Sequence, residues 1–120
     1  MAKLSEREAY DLYQELQQKT RQLDTSVREL RKSGTEYAKA ERDYKILLRK
    51  EALKLRDGDM AVGMIDKVVY GIPSVAEARF KCDVADTVYK ANQEAINSIK
   101  LQMRLIEGQI NREWSVLVSE

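Results

Sequence analysis

The sequence predicts an all-α protein: a long antiparallel helical hairpin, coiled-coil-like, with a short helix at its tip. Three observations carry this. Two stretches of about fifty residues each place apolar side chains at alternating steps of three and four. The 120 residues hold only five Gly and one Pro, Pro73. The two breaks, Asp57-Gly58-Asp59 and Gly71-Ile72-Pro73, fall between the two stretches, where a turn belongs.

Helix 1 is expected over about residues 5–56. Ser5 and Glu8 have the spacing of a capping box, in which each side chain satisfies a backbone N–H of the other. Leu4 and Ala9 stand where a hydrophobic staple would form. The apolar line then runs Ala9, Tyr13, Leu16, Thr20, Leu23, Val27, Leu30, Gly34, Tyr37, Glu41, Tyr44, Leu48 and Leu55. Within it Leu16, Leu23, Leu30, Tyr37 and Tyr44 recur every seven residues, which demands a neighbouring helix along the same seam. Thr20, Gly34 and Glu41 are flaws. Gly34 costs roughly 1 kcal/mol against Ala in a helix interior and marks a bend or a close crossing.

Asp57-Gly58-Asp59 ends that helix. Gly58 suits a left-handed terminus, and Asp59 suits the cap of the next helix. Residues 60–70 place Ala61, Met64, Ile65, Val68 and Val69 at helical spacing, giving the tip helix. VVYGI has no second strand to pair with, so a strand is not expected there. After Gly71-Ile72-Pro73, a second capping-box spacing, Ser74 and Glu77, opens helix 3 over about 75–118. Its line reads Ala78, Ala85, Tyr89, Asn92, Ile96, Ile99, Met103, Ile106, Ile110, Trp114 and Leu117. Asn92 on an apolar line either fixes register or points to the rim. The whole is expected to be one domain.

At 1.5 Å per residue the helices measure roughly 75 and 65 Å. Leu12, Ile46, Leu47 and Leu53 lie beside the main line of helix 1, as Val84, Val88, Ala95 and Leu105 do on helix 3. Stripes wider than one seam call for further helices. The sequence therefore predicts self-association, most simply a two-fold dimer forming a four-helix bundle. The seam residues are Leu16, Leu23, Leu30, Tyr37, Tyr44, Ile96, Met103, Ile110 and Trp114.

Charge and residue usage exclude much chemistry. Net charge is +1, yet residues 1–56 carry 14 Lys/Arg against 10 Asp/Glu, and residues 57–120 carry 7 against 10. Histidine is absent, which removes the commonest general base and metal ligand. A single cysteine, Cys82, precludes an intrachain disulfide or a thiolate cluster. The scattered glycines form no phosphate loop. No enzymatic activity, metal or cofactor is expected. No signal peptide or membrane span is read, so the expected location is cytoplasmic.

Four places stand out for binding. The basic run Lys39, Arg42, Lys45, Arg49, Lys50, Lys54 and Arg56 is a candidate anion or nucleic-acid face, or else a solvated flank paired with Asp83 and Asp86. The tyrosines Tyr10, Tyr13, Tyr37, Tyr44, Tyr70 and Tyr89 stack on bases in some proteins and pack bundle cores in more. Met60, Met64, Val68 and Ile72 at the tip either meet a partner or close the hairpin. The C-terminal Trp114, Val116, Leu117 and Val118 need a cover.

Residues 59–114 carry MIDKVVYG, VAEARFKCDVADTVYK and EAINSIKLQMRLIEGQINREW. In these segments the chain resembles small helical accessory proteins of bacteriophages and prophages of Gram-positive bacteria. The resemblance covers about half the chain and reaches helix 1 only in character. It implies a non-catalytic accessory protein acting by protein–protein contact in the host cytoplasm. It supplies no activity and no binding residue. Two further roles are kept beside it: nucleic-acid binding in a replication or recombination module, and anti-defence action by sequestering a small anionic ligand or inhibiting a host factor. The helix–tip–helix outline is also similar to prefoldin subunits, but those place β-hairpins between their helices, and residues 57–74 read as helix.

Overall fold

The computed structural model describes residues 6–119, and side-chain surroundings for 6–116. Helix α1 spans Glu6–Asp57 and α2 spans Val62–Val68. A 3₁₀ turn follows at Val69–Gly71, and α3 spans Pro73–Ser119. No strand occurs among the described residues. The all-α class and the order long helix, short helix, long helix are those read from the sequence. The capping box and staple at Leu4, Ser5 and Glu8 depend on residues outside the described ones, as do the side chains of Leu117 and Val118.

Contacts along the two long helices are local. The chain separates into two compact units, Met1–Leu30 with Asn92–Glu120, and Arg31–Ala91. The reason is geometric: in a pair of long helices each level touches only its own level, so contacts stay local. In each unit a piece of α1 lies beside a piece of α3.

Along α3, every third or fourth residue is buried or half-buried: Val75, Ala78, Cys82, Ala85, Tyr89, Asn92, Ile96, Ile99, Met103, Ile106 and Ile110. This extends the sequence line toward the N-terminus by Val75 and fills its gap between Ala78 and Ala85 with Cys82. At the other end Glu113, half-buried, takes the next place, and Trp114 is 65% exposed. Trp114 is thus not a seam residue within the chain. Along α1 the line falls between two rows. Leu16, Leu23, Leu30, Tyr37 and Tyr44 are half-buried as expected, and Leu12 is sheltered where Tyr13, 52% exposed, was expected. Thr20 is also exposed, its hydroxyl donating to the Leu16 carbonyl at 3.0 Å. A helix of 3.6 residues per turn drifts about 20° per heptad against a 3.5 repeat, so a strict seven-residue reading misassigns one row.

In the Arg31–Ala91 unit the tip has its own core. Ile65, Val69 and Val75 are buried, Val75 completely. Met60, Val68 and Ile72 are half-buried, and Met64 is exposed. The Arg79 guanidinium lies 5.8 Å from the Tyr70 ring centroid, a cation–π distance.

The caps differ from the sequence reading. Met60 N–H donates to the Leu55 carbonyl at 3.2 Å and Asp59 N–H to the Arg56 carbonyl at 3.0 Å. These are the two bonds of a Schellman motif, which needs a left-handed residue just past the helix. That residue is Asp59, with φ 65°, not Gly58. Asp59 therefore does not cap α2, whose N-cap is Ala61 with no side-chain bond. Helix α3 begins at Pro73 rather than through Ser74 and Glu77: the extended Ile72 precedes it, and its carbonyl accepts from Ala76 N–H at 2.9 Å. Proline's fixed φ and missing N–H suit a first helical position, where that donor has no partner to lose.

Since Asp59 holds a conformation that favours glycine, Asp59→Gly is expected to raise stability by about 0.5–1 kcal/mol. Gly58→Ala is expected to leave stability unchanged or higher, because its added Cβ meets only ordinary contacts at 3.5 Å from the Leu55 carbonyl oxygen. Urea unfolding of both variants checks the pair.

Candidate functional site

The Arg31–Ala91 unit is organised around one close crossing. A Cβ built on Gly34 would sit 3.1 Å from Cε2 of Tyr89, tighter than side chains ordinarily pack. Glycine here lets the tyrosine ring lie on the backbone of α1. Tyr37, one turn on, stacks on the same ring with centroids 6.2 Å apart and planes 3° from parallel. The neighbouring Ser33 is buried at 4% exposure. Of the tyrosine set, Tyr37 and Tyr89 are thus packing residues, and Tyr10 and Tyr13 are exposed.

Small residues on one side of this crossing leave a groove. One part, 520 Å³, is lined by Glu36, Lys39, Asp43 and Leu47 of α1 and by Glu77 and Lys81 of α3, among others. A second part, 270 Å³, continues past the shared Glu36 and Lys81 to Phe80, Val84 and Val88. Ser33, Ala40, Ala78 and Ala85 also line these two parts. Phe80 is 63% exposed, and Val84 and Val88 are each 46% exposed. Such a row of large apolar side chains in water is unfavourable by roughly 25 cal/mol per Å² left uncovered.

The structure places the residues of the basic face in different surroundings along α1. Lys39 lines the groove, whereas Arg49 and Arg56 flank a separate depression with Val62 and Asp66. Lys45 pairs with Glu41 at 2.9 Å, Arg42 with Asp43 at 3.1 Å, and Lys54 with Glu51 at 3.2 Å. Lys50 is exposed. The flank pairing expected with Asp83 and Asp86 does not form: Asp86 instead takes Lys90, on its own helix, at 3.0 Å. Residues three and four apart on a helix are nearest neighbours, while the tyrosine pair occupies the space between helices. These exposed pairs add little stability.

Glu41, the one carboxylate on the apolar line of α1, is half-buried and held by Lys45. Among the described residues no three His, Cys, Asp or Glu side chains converge as metal ligands would. Cys82 is buried, and its thiol is pushed above the ordinary 9.0, first by desolvation and then by Glu41, Asp83 and Asp86. It stays protonated near neutral pH and is a poor nucleophile there. In the other unit, Asn92 Nδ2 donates to the Glu29 carbonyl oxygen at 3.4 Å, so this half-buried side chain reaches α1. Ser33 and Val75 were missed by sequence reasoning. Their signal was present, since each falls on the three-four spacing once Cys82 and Ala40 are counted into the lines.

No family model matches the chain, and no curated protein or solved structure is significantly similar to it. No helix among the described residues is long and apolar enough to cross a membrane.

The resolved proton shifts share one sign. Tyr37 is raised chiefly by the Glu41 charge, and Lys45 and Lys90 by their bonds to Glu41 and Asp86. A group raised in the folded state contributes its stability below the unfolded value and loses it as pH climbs. Stability is therefore expected to fall on the alkaline side, beginning near pH 9 with Cys82. Melting temperatures from pH 7 to 11 should decline, and Cys82→Ala should flatten the first part of that decline. A wild-type profile flat through pH 10 would contradict this assignment.

Proposed function

We propose that this chain is a non-catalytic accessory protein of the phage and prophage type that acts by binding protein, in the cytoplasm of a bacterial host. The observation that carries the reading is the exposed apolar row Phe80, Val84 and Val88 beside a groove with small residues in its lining. Water-exposed patches of this kind, rimmed by charge, are the ordinary mark of a protein-binding surface. The resemblance of residues 59–114 to phage accessory proteins supplies the setting. The pairing of Arg42, Lys45 and Lys54 with carboxylates on their own helix leaves nucleic-acid or anion binding with less support, because partnered cations have less to gain from phosphate.

Affinity capture of the full chain from a Gram-positive bacterial lysate tests the reading. Wild type is expected to retain protein, its own untagged copies included, that a Val84→Glu/Val88→Glu variant of equal helicity releases. Retention of nucleic acid or a nucleotide instead, insensitive to that pair of substitutions and lost on charge reversal at Arg42, Lys45 and Arg49, would overturn it.

A further inference from the structure

The groove face is self-complementary, and we infer that its occupant is a second copy of this chain, laid antiparallel across it about a two-fold axis. The inference rests on the protein-binding reading above and names the partner.

Two independent patterns place the axis. On α1, Lys32, Glu36, Lys39 and Asp43 follow one another at steps of four, three and four, hence along one face. Glu36, Lys39 and Asp43 line the groove, and Lys32 is exposed in line with them. Among the described residues Lys32, Glu36 and Lys39 have no ion-pair partner, and Asp43 has only the exposed Arg42 beside it. Laid against its own reverse, the series matches itself with opposite signs: Lys32 faces Asp43 of the second copy, and Glu36 faces its Lys39. Each contact occurs twice, as an isologous interface requires. The centre of this pairing lies midway between positions 37 and 38.

On α3, Val84 and Val88 are one turn apart on the groove wall. An antiparallel copy centred at position 86 sets Val84 against Val88 of the second copy, twice. Lys81 then lies opposite Ala91 rather than opposite a like charge.

The two centres are found separately, yet the packing of this unit brings them to one level. Gly34 and Tyr37 of α1 both lie against Tyr89 of α3. The midpoint of 34 and 37 therefore stands beside 89, and in an antiparallel pair this sets 37–38 level with about 87. That is about one residue from the valine centre, or roughly 1.5 Å at 1.5 Å per residue. One axis serves both helices. In the resulting arrangement α1 packs on α1 and α3 on α3 of the second copy, with every neighbour antiparallel, as in two-hairpin four-helix bundles. The small groove-lining residues Ala40, Ala78 and Ala85 allow the copies to approach.

Sedimentation equilibrium of the full chain at low salt tests this, with circular dichroism confirming helicity, since positions 36 and 39 are exposed. Wild type is expected to dimerise. Glu36→Lys should weaken the dimer by about tenfold, because two contacts change from attraction to repulsion. The double variant Glu36→Lys/Lys39→Glu, which restores opposite signs, should return to within about threefold of wild type. A chain that stays monomeric overturns the inference and leaves binding of another protein to be judged by lysate capture. Association that Val84→Glu abolishes but Glu36→Lys does not affect also overturns this pairing, while leaving the apolar face as the binding surface.

Discussion

Two helices side by side can keep only one line of side chains each out of water. Almost every feature of this protein follows from that limit. Among the described residues those buried are Ser33, Ile65, Val69, Val75, Cys82, Ile96 and Ile106, a small set for helices of this length. All but Ser33, Ile65 and Val69 belong to the line on α3. Among the described residues the tip is where a third element, α2 with its 3₁₀ turn, adds cover, and there Val75 disappears from solvent completely. Elsewhere large apolar residues such as Ile46, Phe80, Val84, Val88 and Leu105 remain exposed.

The same limit sets what each position along the seam can be. Where Tyr89 crosses α1, a Cβ at position 34 would press on its ring at 3.1 Å, and Tyr37 extends that contact by stacking. The helical cost of a glycine is offset by the aromatic area it lets the unit bury. Asn92, on the same line in the other unit, reaches the Glu29 carbonyl oxygen, so a polar side chain at a seam position keeps a hydrogen-bond partner. Among the described residues the ion pairs of Arg42, Lys45, Lys54 and Lys90 each run along one helix, since the seam beside them is filled with rings and aliphatic groups. The result is a scaffold whose shape comes from packing and whose outward charge pattern is left for other uses. The Lys32, Glu36, Lys39 and Asp43 series is one such pattern.

The long helices and the tip were legible in the sequence because three-four spacing is a backbone property, sustained for fourteen turns on α1 and thirteen on α3 at roughly 3.6 residues per turn. Val84, Val88, Ile46, Leu53 and Leu105 were legible as apolar residues beside the main line, and all are exposed. The ends were less so. Asp59 took the left-handed position because the Schellman bonds fix where the chain turns, whatever the neighbouring glycine prefers. Pro73 opens α3 from inside the helix, so the capping-box spacing of Ser74 and Glu77 one residue later has no terminus to cap. Glu113 holds the line because α3 keeps its four-three alternation past Ile110, whereas the apolar reading stepped four residues twice to reach Trp114. The groove itself was invisible beforehand, because it depends on which small residues of two helices come level, and that is set by the Gly34–Tyr89 crossing.

If one seam per helix is too little cover, folding must draw free energy from a second layer. Thermal unfolding across a hundredfold range of protein concentration measures this most directly, because burial between copies makes the melting temperature depend on concentration. The account predicts a midpoint that rises steadily with concentration for the wild-type chain. A midpoint that does not move, in a chain that sediments as a well-folded monomer throughout, would contradict it.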